Sequence, residues 1–205
     1  MPLIFQQDIN EFAKIGIWEL KELEIFFSGI EIRNNIAHPS KRLQYLAGRN
    51  LLKELYPDFP IQDIAISLSG KPILIDGLYY FSISHTNEYV AAIVSKHENV
   101  GIDIEKISPK IMGVLKRVLS NSELNLINKQ NWAATYQAEI LMWCIKEAVY
   151  KWLGEKNISF QKDINVVEID NINKSAIVEV KKSNNIKVMI NYILYDLYCL
   201  VWIMM

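Results

Sequence analysis

Asp103 and Glu105 stand two residues apart in VGIDIE, a run whose other members include Val100, Ile102 and Ile104. Strand geometry sends alternate side chains to opposite faces, which would gather Gly101, Asp103 and Glu105 on one side. Two carboxylates so close repel, and each raises the other's pKa. A metal ion, a Lys or Arg, or water must then compensate. A third carboxylate, Glu147, falls in a stretch of helical rhythm, with Trp143 one turn before it and Lys151 one turn after. Three carboxylates brought together would suit a hard divalent cation such as Mg²⁺, which prefers oxygen donors and keeps waters for a phosphate partner. The plainer alternatives are an edge strand whose acidic face meets water and a solvent-facing Glu-to-Lys pair of small energetic weight. Leu141, Ile145, Ala148, Val149 and Trp152 form the apolar stripe of the same helix. Trp143 lies off that stripe, which favours a covered face or the border of a cleft.

Further groups could bind anions. Ser-Ile-Ser-His (82–85) ends a strand-like run, where Ser84 and His85 could hold a phosphate or His85 could be a plain turn residue. The other histidines, His38 and His97, lack metal-ligand spacing relative to His85, which argues against a zinc site. Lys71 lies in Gly70-Lys71-Pro72, which reads as an ordinary turn or as a mount for a lysine point charge. Arg42, Arg49 and Lys53 share one side of a helix, giving a solvated basic face or an anion site around Arg49.

These residues need elements to position them. Residues 38–55 show helical spacing of Leu43, Leu46, Ala47, Leu51 and Leu55, with Pro39 in the first turn and Pro57 after the end. Short β-like runs follow as IAISLS, PILI and YYFSIS, then YVAAIVS (89–95) and VGIDIE. SPKIMGVLKRVLSNSEL reads as a loop and a short helix that restarts at Ser120 or Ser122 as an N-cap. A long helix is expected from about 132 to 153, ending at Gly154. INVVEID, SAIVEV, IKVMINYILY and LYCLVWIMM then read as strands, with turn signals at 171–173 and 183–185. The pattern predicts an α+β chain of two halves, 1–106 and 107–205, each with one principal helix and several strands.

The 205 residues are 51% hydrophobic and 22% charged, with a net charge of −1. That is globular composition, and its charge balance excludes a general nucleic-acid binder. Two cysteines do not make a disulfide framework, and a reduced, cytoplasmic chain is expected. MPLIFQQDINEF lacks the pattern of a signal peptide, and no apolar run reaches the roughly 18 residues of a membrane helix.

Taken in order, AGR on the 38–55 helix, GKP, FSISH, VGIDIEK and WCIKEAVYKWLG resemble the 4′-phosphopantetheinyl transferase superfamily. The nearer likeness is to its larger, single-chain, surfactin-synthetase-associated type. The motifs span about Lys41 to Gly154. The resemblance implies a pseudo-dimer of two similar α+β halves. It also implies transfer of the phosphopantetheine arm of coenzyme A to a serine of an acyl or peptidyl carrier protein, releasing adenosine 3′,5′-bisphosphate. By the same resemblance Asp103, Glu105 and Glu147 would hold Mg²⁺ (or Mn²⁺) against the pyrophosphate, and Lys151 would contact that pyrophosphate. His85, with Ser84, would meet the 3′-phosphate, and Lys71 and Arg49 would grip the nucleotide end. Glu147, or a water on the metal, would take the serine proton. A monomer is expected, with no nucleic-acid or membrane partner. A non-catalytic module binding coenzyme A or a carrier protein is the alternative.

Two departures stand out. Thr86-Asn87 follows His85 where the family often has a small residue or Gly, and Arg117-Val118-Leu119-Ser120 replaces an Arg-Phe-Phe-Ser pattern. Lys110, Lys116 and Arg117 among apolar neighbours would still suit an acidic, amphipathic partner helix, or the segment packs on its own core.

Overall fold

Residues 2–32, 36–182 and 185–205 are described in the computed structural model. The chain divides into two units, Met1–Val100 and Gly101–Met205. Both combine an antiparallel sheet arrangement with one 17-residue helix, so the α+β class holds.

In the first unit, β1 (Leu3–Asn10) and β2 (Ala13–Glu19) form an antiparallel hairpin. This hairpin has no counterpart in the sequence expectations. β2 alternates around Ile15 and Ile17, but β1 is an edge strand with polar Gln6, Gln7 and Asp8 exposed, which masks the period. Helix α1 (Pro39–Leu55) follows, with Pro39 in its first turn. It ends where Tyr56, just before Pro57, turns extended, the conformation a following proline imposes. Two short strands, β3 (Ile64–Ile66) and β4 (Pro72–Leu74), pair across the Gly70 turn. β5 (Tyr80–His85) and β6 (Tyr89–Ser95) complete a sheet of order β1-β2-β6-β5. Helix α1 covers one face of it, burying Leu46, Ala47, Leu51 and Leu52 against Phe81, Val90, Ala92 and Val94.

β7 (Val100–Lys106), which closes the expected first half, belongs to the sheet of the second unit. Three helices follow: α2 (Met112–Val118), α3 (Asn121–Asn128) and α4 (Gln137–Leu153). Ser120 caps α3 in a capping box with Glu123. Helix α4 starts later than the expected 132, because Trp132 folds back and donates its indole N–H to the Ile127 carbonyl of α3 at 2.9 Å. It ends at Gly154, whose φ of +62° suits a glycine cap. Strands β8 (Ile164–Asp170), β9 (Ser175–Val180), β10 (Ile186–Leu194) and β11 (Tyr198–Met204) then give the order β7-β11-β10-β9-β8. Residues 183 and 184 of the expected β9–β10 turn lie outside the described residues.

Two contacts fix α4 on this sheet. The expected stripe is buried: Leu141, Ile145, Ala148 and Val149 pack with Val166, Val178, Ile190 and Val201. Lys146, 0% exposed, adds a polar anchor. Its Nζ lies 2.7 Å from Glu123 Oε1 and donates to the Phe160 and Ile164 carbonyls at 2.7 and 2.6 Å. Glu123 also accepts the Val166 N–H at 2.9 Å, so α3, α4 and β8 meet at one ion pair. At the other edge α4 runs hard against β7. A Cβ on Gly101 would fall 2.1 Å from the Ala148 carbonyl oxygen and 2.8 Å from the Trp152 backbone nitrogen. Only a residue without a side chain permits that approach.

Gly101→Ala is therefore expected to destabilise the chain by at least about 2 kcal/mol through overpacking. Gly113→Ala in α2, where nothing lies within 4 Å of the added carbon, should stabilise by less than about 1 kcal/mol. Denaturant unfolding of both variants measures the contrast. A Gly101→Ala chain as stable as the parent would contradict the close approach.

Candidate functional site

The face of β7 that carries Gly101 also carries Asp103 and Glu105, so both carboxylates point at α4 rather than into water. Asp103 is 3% exposed, which sets aside the open edge-strand reading. Lys151 Nζ lies 2.7 Å from Asp103 Oδ1 and donates to the Ile102 carbonyl at 3.1 Å. Trp143 donates its indole N–H to Glu105 Oε1 at 3.1 Å. Trp143, Glu147 and Lys151 succeed one another at i,i+4 on α4. They therefore line the acidic face of β7 in order.

The carboxylates feel one another. Burial, then the Asp103 charge, pushes Glu147 up to about 7, with Glu105 adding to the shift and Lys151 opposing it. Burial, then Asp103, also raises Glu105, while the Trp143 hydrogen bond and Lys151 pull it down. Glu147 can thus hold or release a proton near neutrality. All-oxygen donors under mutual repulsion fit a hard divalent cation in kind. Among the described residues, however, no three His, Cys, Asp or Glu side chains already stand in metal-holding geometry. One oxygen of Asp103 is engaged by Lys151 instead. The compensating positive group for the acidic pair, in this structure, is a lysine.

The anion-binding candidates lie in the first unit. Arg49 on α1 stacks its guanidinium 3.4 Å from the centroid of the Tyr45 ring, one turn back along the helix. His85 is exposed at the end of β5. Its partner across the ladder is Val90, which packs under α1, so His85 belongs to the α1 side of the sheet. Ser84 pairs with Ala91 and is buried on the opposite side. Alternation thus separates the Ser84 and His85 side chains, which the sequence motif groups together. Arg42 is ion-paired with Glu24 at 2.6 Å.

Lys71 sits in a tightly held turn. Gly70 adopts φ +94°, and the Lys71 N–H donates to Ser67 Oγ at 3.1 Å. Its Nζ donates to Asn99 Oδ1 at 3.0 Å. It lines a cavity of about 200 Å³ together with Pro72, Tyr79, Tyr80, Phe81 and Asn99. Burial lowers its pKa to about 8. An amine and aromatic rings around one small cavity can receive an anion attached to a flat, apolar group.

In the 107–120 segment, Ile111, Leu115 and Val118 pack into the unit's own core, while Lys110, Met112 and Arg117 are exposed. The side chain of Lys116 lies outside what is described. Sequence reasoning misses Lys146 and Glu123, although Ser120-x-x-Glu123 spells a capping box and Lys146 adjoins Glu147. It also misses Gln44, which nothing in the residue pattern sets apart.

Comparison with known proteins adds a family to this geometry. The family model of the 4′-phosphopantetheinyl transferase superfamily matches residues 99–192, which hold β7, α4 and the whole acidic cluster. The chain is 29% identical over 129 residues to the 4′-phosphopantetheinyl transferase AcpT of Escherichia coli, covering 60% of this chain and 64% of that protein. It is 31% identical over 86 residues to the 4′-phosphopantetheinyl transferase gsp of Aneurinibacillus migulanus, covering 42% of this chain and 35% of that protein. To psf-1 of Bacillus pumilus, another 4′-phosphopantetheinyl transferase, it is 30% identical over 115 residues, or 55% and 48% of the two chains. The matches thus span less than two thirds of these relatives' lengths. The stretch 99–192 is thus similar to the 4′-phosphopantetheinyl transferase superfamily, the likeness that the motifs indicated. No helix among the described residues is long and apolar enough to cross a membrane.

The Lys71 shift has a thermodynamic signature. Its folded pKa, about 8, lies below the ordinary 10.5. Between those values the unfolded chain holds a proton that the folded chain has released, so stability rises with pH across this window. Below about pH 8 the full cost of the buried charge applies. Lys71→Met should remove that slope and raise the thermal midpoint at neutral pH. Thermal unfolding followed from neutral pH up to the ordinary lysine pKa checks it, and an unchanged slope would refute the burial of Lys71.

Proposed function

We propose that this chain transfers the 4′-phosphopantetheine arm of coenzyme A to a serine of an acyl or peptidyl carrier protein, releasing adenosine 3′,5′-bisphosphate. The observation that supports it most is that α4 lays Trp143, Glu147 and Lys151 along the face of β7 that carries Asp103 and Glu105, with Trp143 bonded to Glu105 and Lys151 to Asp103. Those three carboxylates would hold Mg²⁺, with Mn²⁺ as a substitute. The ion, when bound, supplies positive charge against the diphosphate of coenzyme A.

The protein's own groups divide the work. Glu147, which burial and the Asp103 charge hold near neutrality in the metal-free site, would take the proton of the attacking serine hydroxyl, and a bound ion would lower that value. Lys151, held by Asp103 and the Ile102 carbonyl, is placed beside the same carboxylates, where its charge can steady the leaving phosphate. Trp143 orients Glu105. In the first unit, Arg49, Lys71 and His85 would bind the nucleotide end, with His85 at the 3′-phosphate. Ser84, on the opposite side of β5, would act there only through the strand backbone.

The larger, single-chain type of the superfamily is favoured because each unit carries its own sheet and long helix. The chain would act as a monomer, with Met1–Val100 supplying the nucleotide end and Gly101–Met205 the metal site and the carrier-docking segment. Two free, buried cysteines, Cys144 and Cys199, are consistent with work in the reducing cytoplasm.

Apo carrier protein incubated with coenzyme A, Mg²⁺ and this chain should gain the mass of one phosphopantetheine arm. Asp103→Asn and Glu147→Gln should each abolish the gain while leaving the fold intact. Intact-protein mass spectrometry reads the result. Coenzyme A binding without any mass gain on fatty-acid, polyketide and peptide-synthetase carriers would favour the binding-only module. Full activity of Glu147→Gln would remove the proposed base.

A further inference from the structure

The turn after His85 is bound to α1 by one buried side chain. Gln44 is 3% exposed, and its Nε2 donates to the Thr86 carbonyl at 2.8 Å. Thr86 in turn closes the β5–β6 connection on itself. Its N–H donates to the Tyr89 carbonyl at 2.8 Å, and its hydroxyl accepts the Glu88 and Tyr89 N–H groups at 3.1 and 3.0 Å. His85 and Val90 form the last rung of the ladder before this turn. The sheet therefore holds His85 from one side, and the turn must hold it from the other.

Helix α1 supplies that second hold. It is seated closely on β5 because Gly48 has no side chain: a Cβ there would lie 3.1 Å from Ile83 Cγ2. One turn earlier Gln44 reaches Thr86. Arg49 folds back over Tyr45, the neighbour of Gln44, so its guanidinium lies at the level of the helix that is tied to the turn. The Gly48 seat and the Gln44 bond thus fix α1, which carries Arg49, against β5 and the turn that follows His85.

We propose that Gln44 is a positioning residue that sets the spacing between Arg49 and His85, and thereby the selectivity for a phosphorylated ribose over its unphosphorylated counterpart. This rests on the reading of Arg49 and His85 as ligands of the nucleotide end. It also accounts for Thr86, a departure from the family's usual residue, because the Thr86 hydroxyl builds the turn that Gln44 grips.

Calorimetric binding of coenzyme A and dephospho-coenzyme A to Gln44→Met, His85→Ala and the double variant tests the proposal. Losing one hydrogen bond's worth of positioning should weaken coenzyme A binding by about fivefold and leave dephospho-coenzyme A within about twofold. The double variant should bind no more weakly than His85→Ala alone. Amide exchange at Glu88 and Tyr89 should accelerate. Gln44→Leu, close in volume and without a donor or a charge, should show the same signature and serves if the Met variant folds poorly. Equal losses for both ligands, additive losses, or selectivity retained while His85→Ala loses it, would overturn the positioning role alone. If His85→Ala keeps the full preference for coenzyme A over dephospho-coenzyme A, the 3′-phosphate role falls and the positioning role falls with it.

Discussion

Everything at the acidic cluster depends on how near α4 comes to β7. The helix lies so close at Gly101 that its backbone oxygen at Ala148 occupies the space of a missing side chain. Lys151 meets Asp103, and Trp143 meets Glu105, each at hydrogen-bonding distance. A looser approach would let water between the carboxylates and the helix. The burial, and after it the Asp103 charge, that lift Glu147 toward neutrality would then both be weakened by solvent.

The first unit uses the same device with the parts exchanged. There the glycine belongs to the helix, Gly48, and the bulky neighbour to the strand, Ile83. In both units a charged residue adjoins the glycine contact: Lys151 reaches Asp103 on β7 in one, and Arg49 stacks on Tyr45 of its own helix in the other. The glycines of AGR and GIDIE are thus geometric requirements, and the charged residues beside them inherit their positions.

Much of this is legible in the sequence, for identifiable reasons. β6, β8 and β9 begin and end where their apolar runs do, because strands buried on a face cannot slip without exposing it. The stripe from Leu141 to Trp152 marks the core face of α4 for the same reason. What does not show is anything set by partners distant in sequence. In the β1–β2 hairpin the exposed polar residues of the edge strand β1 mask the period that β2 carries. Alternation alone fixes which face of β7 is acidic, but its neighbour could equally have been solvent, and only α4 decides that. Strand alternation also separates Ser84 from His85, yet the motif in which they sit adjacent conceals it. Gln44 is an ordinary helix residue until the turn at Thr86 is folded beneath it.

The buried pair of Lys146 and Glu123 governs how the second unit settles on one arrangement. An apolar pair of the same size could give equal or greater stability, since burying ions is costly. Grease, however, tolerates rotation, and an ammonium ion surrounded by one carboxylate and two carbonyls does not. Were the helix to turn so that Glu147 took the place of Lys146, a carboxylate would face Glu123 and two carbonyl oxygens, and Lys146 would lose all its acceptors at once. Misregistered packings are thereby excluded as whole states, and the catalytic candidates are handed a fixed azimuth by a neighbour that never touches a substrate.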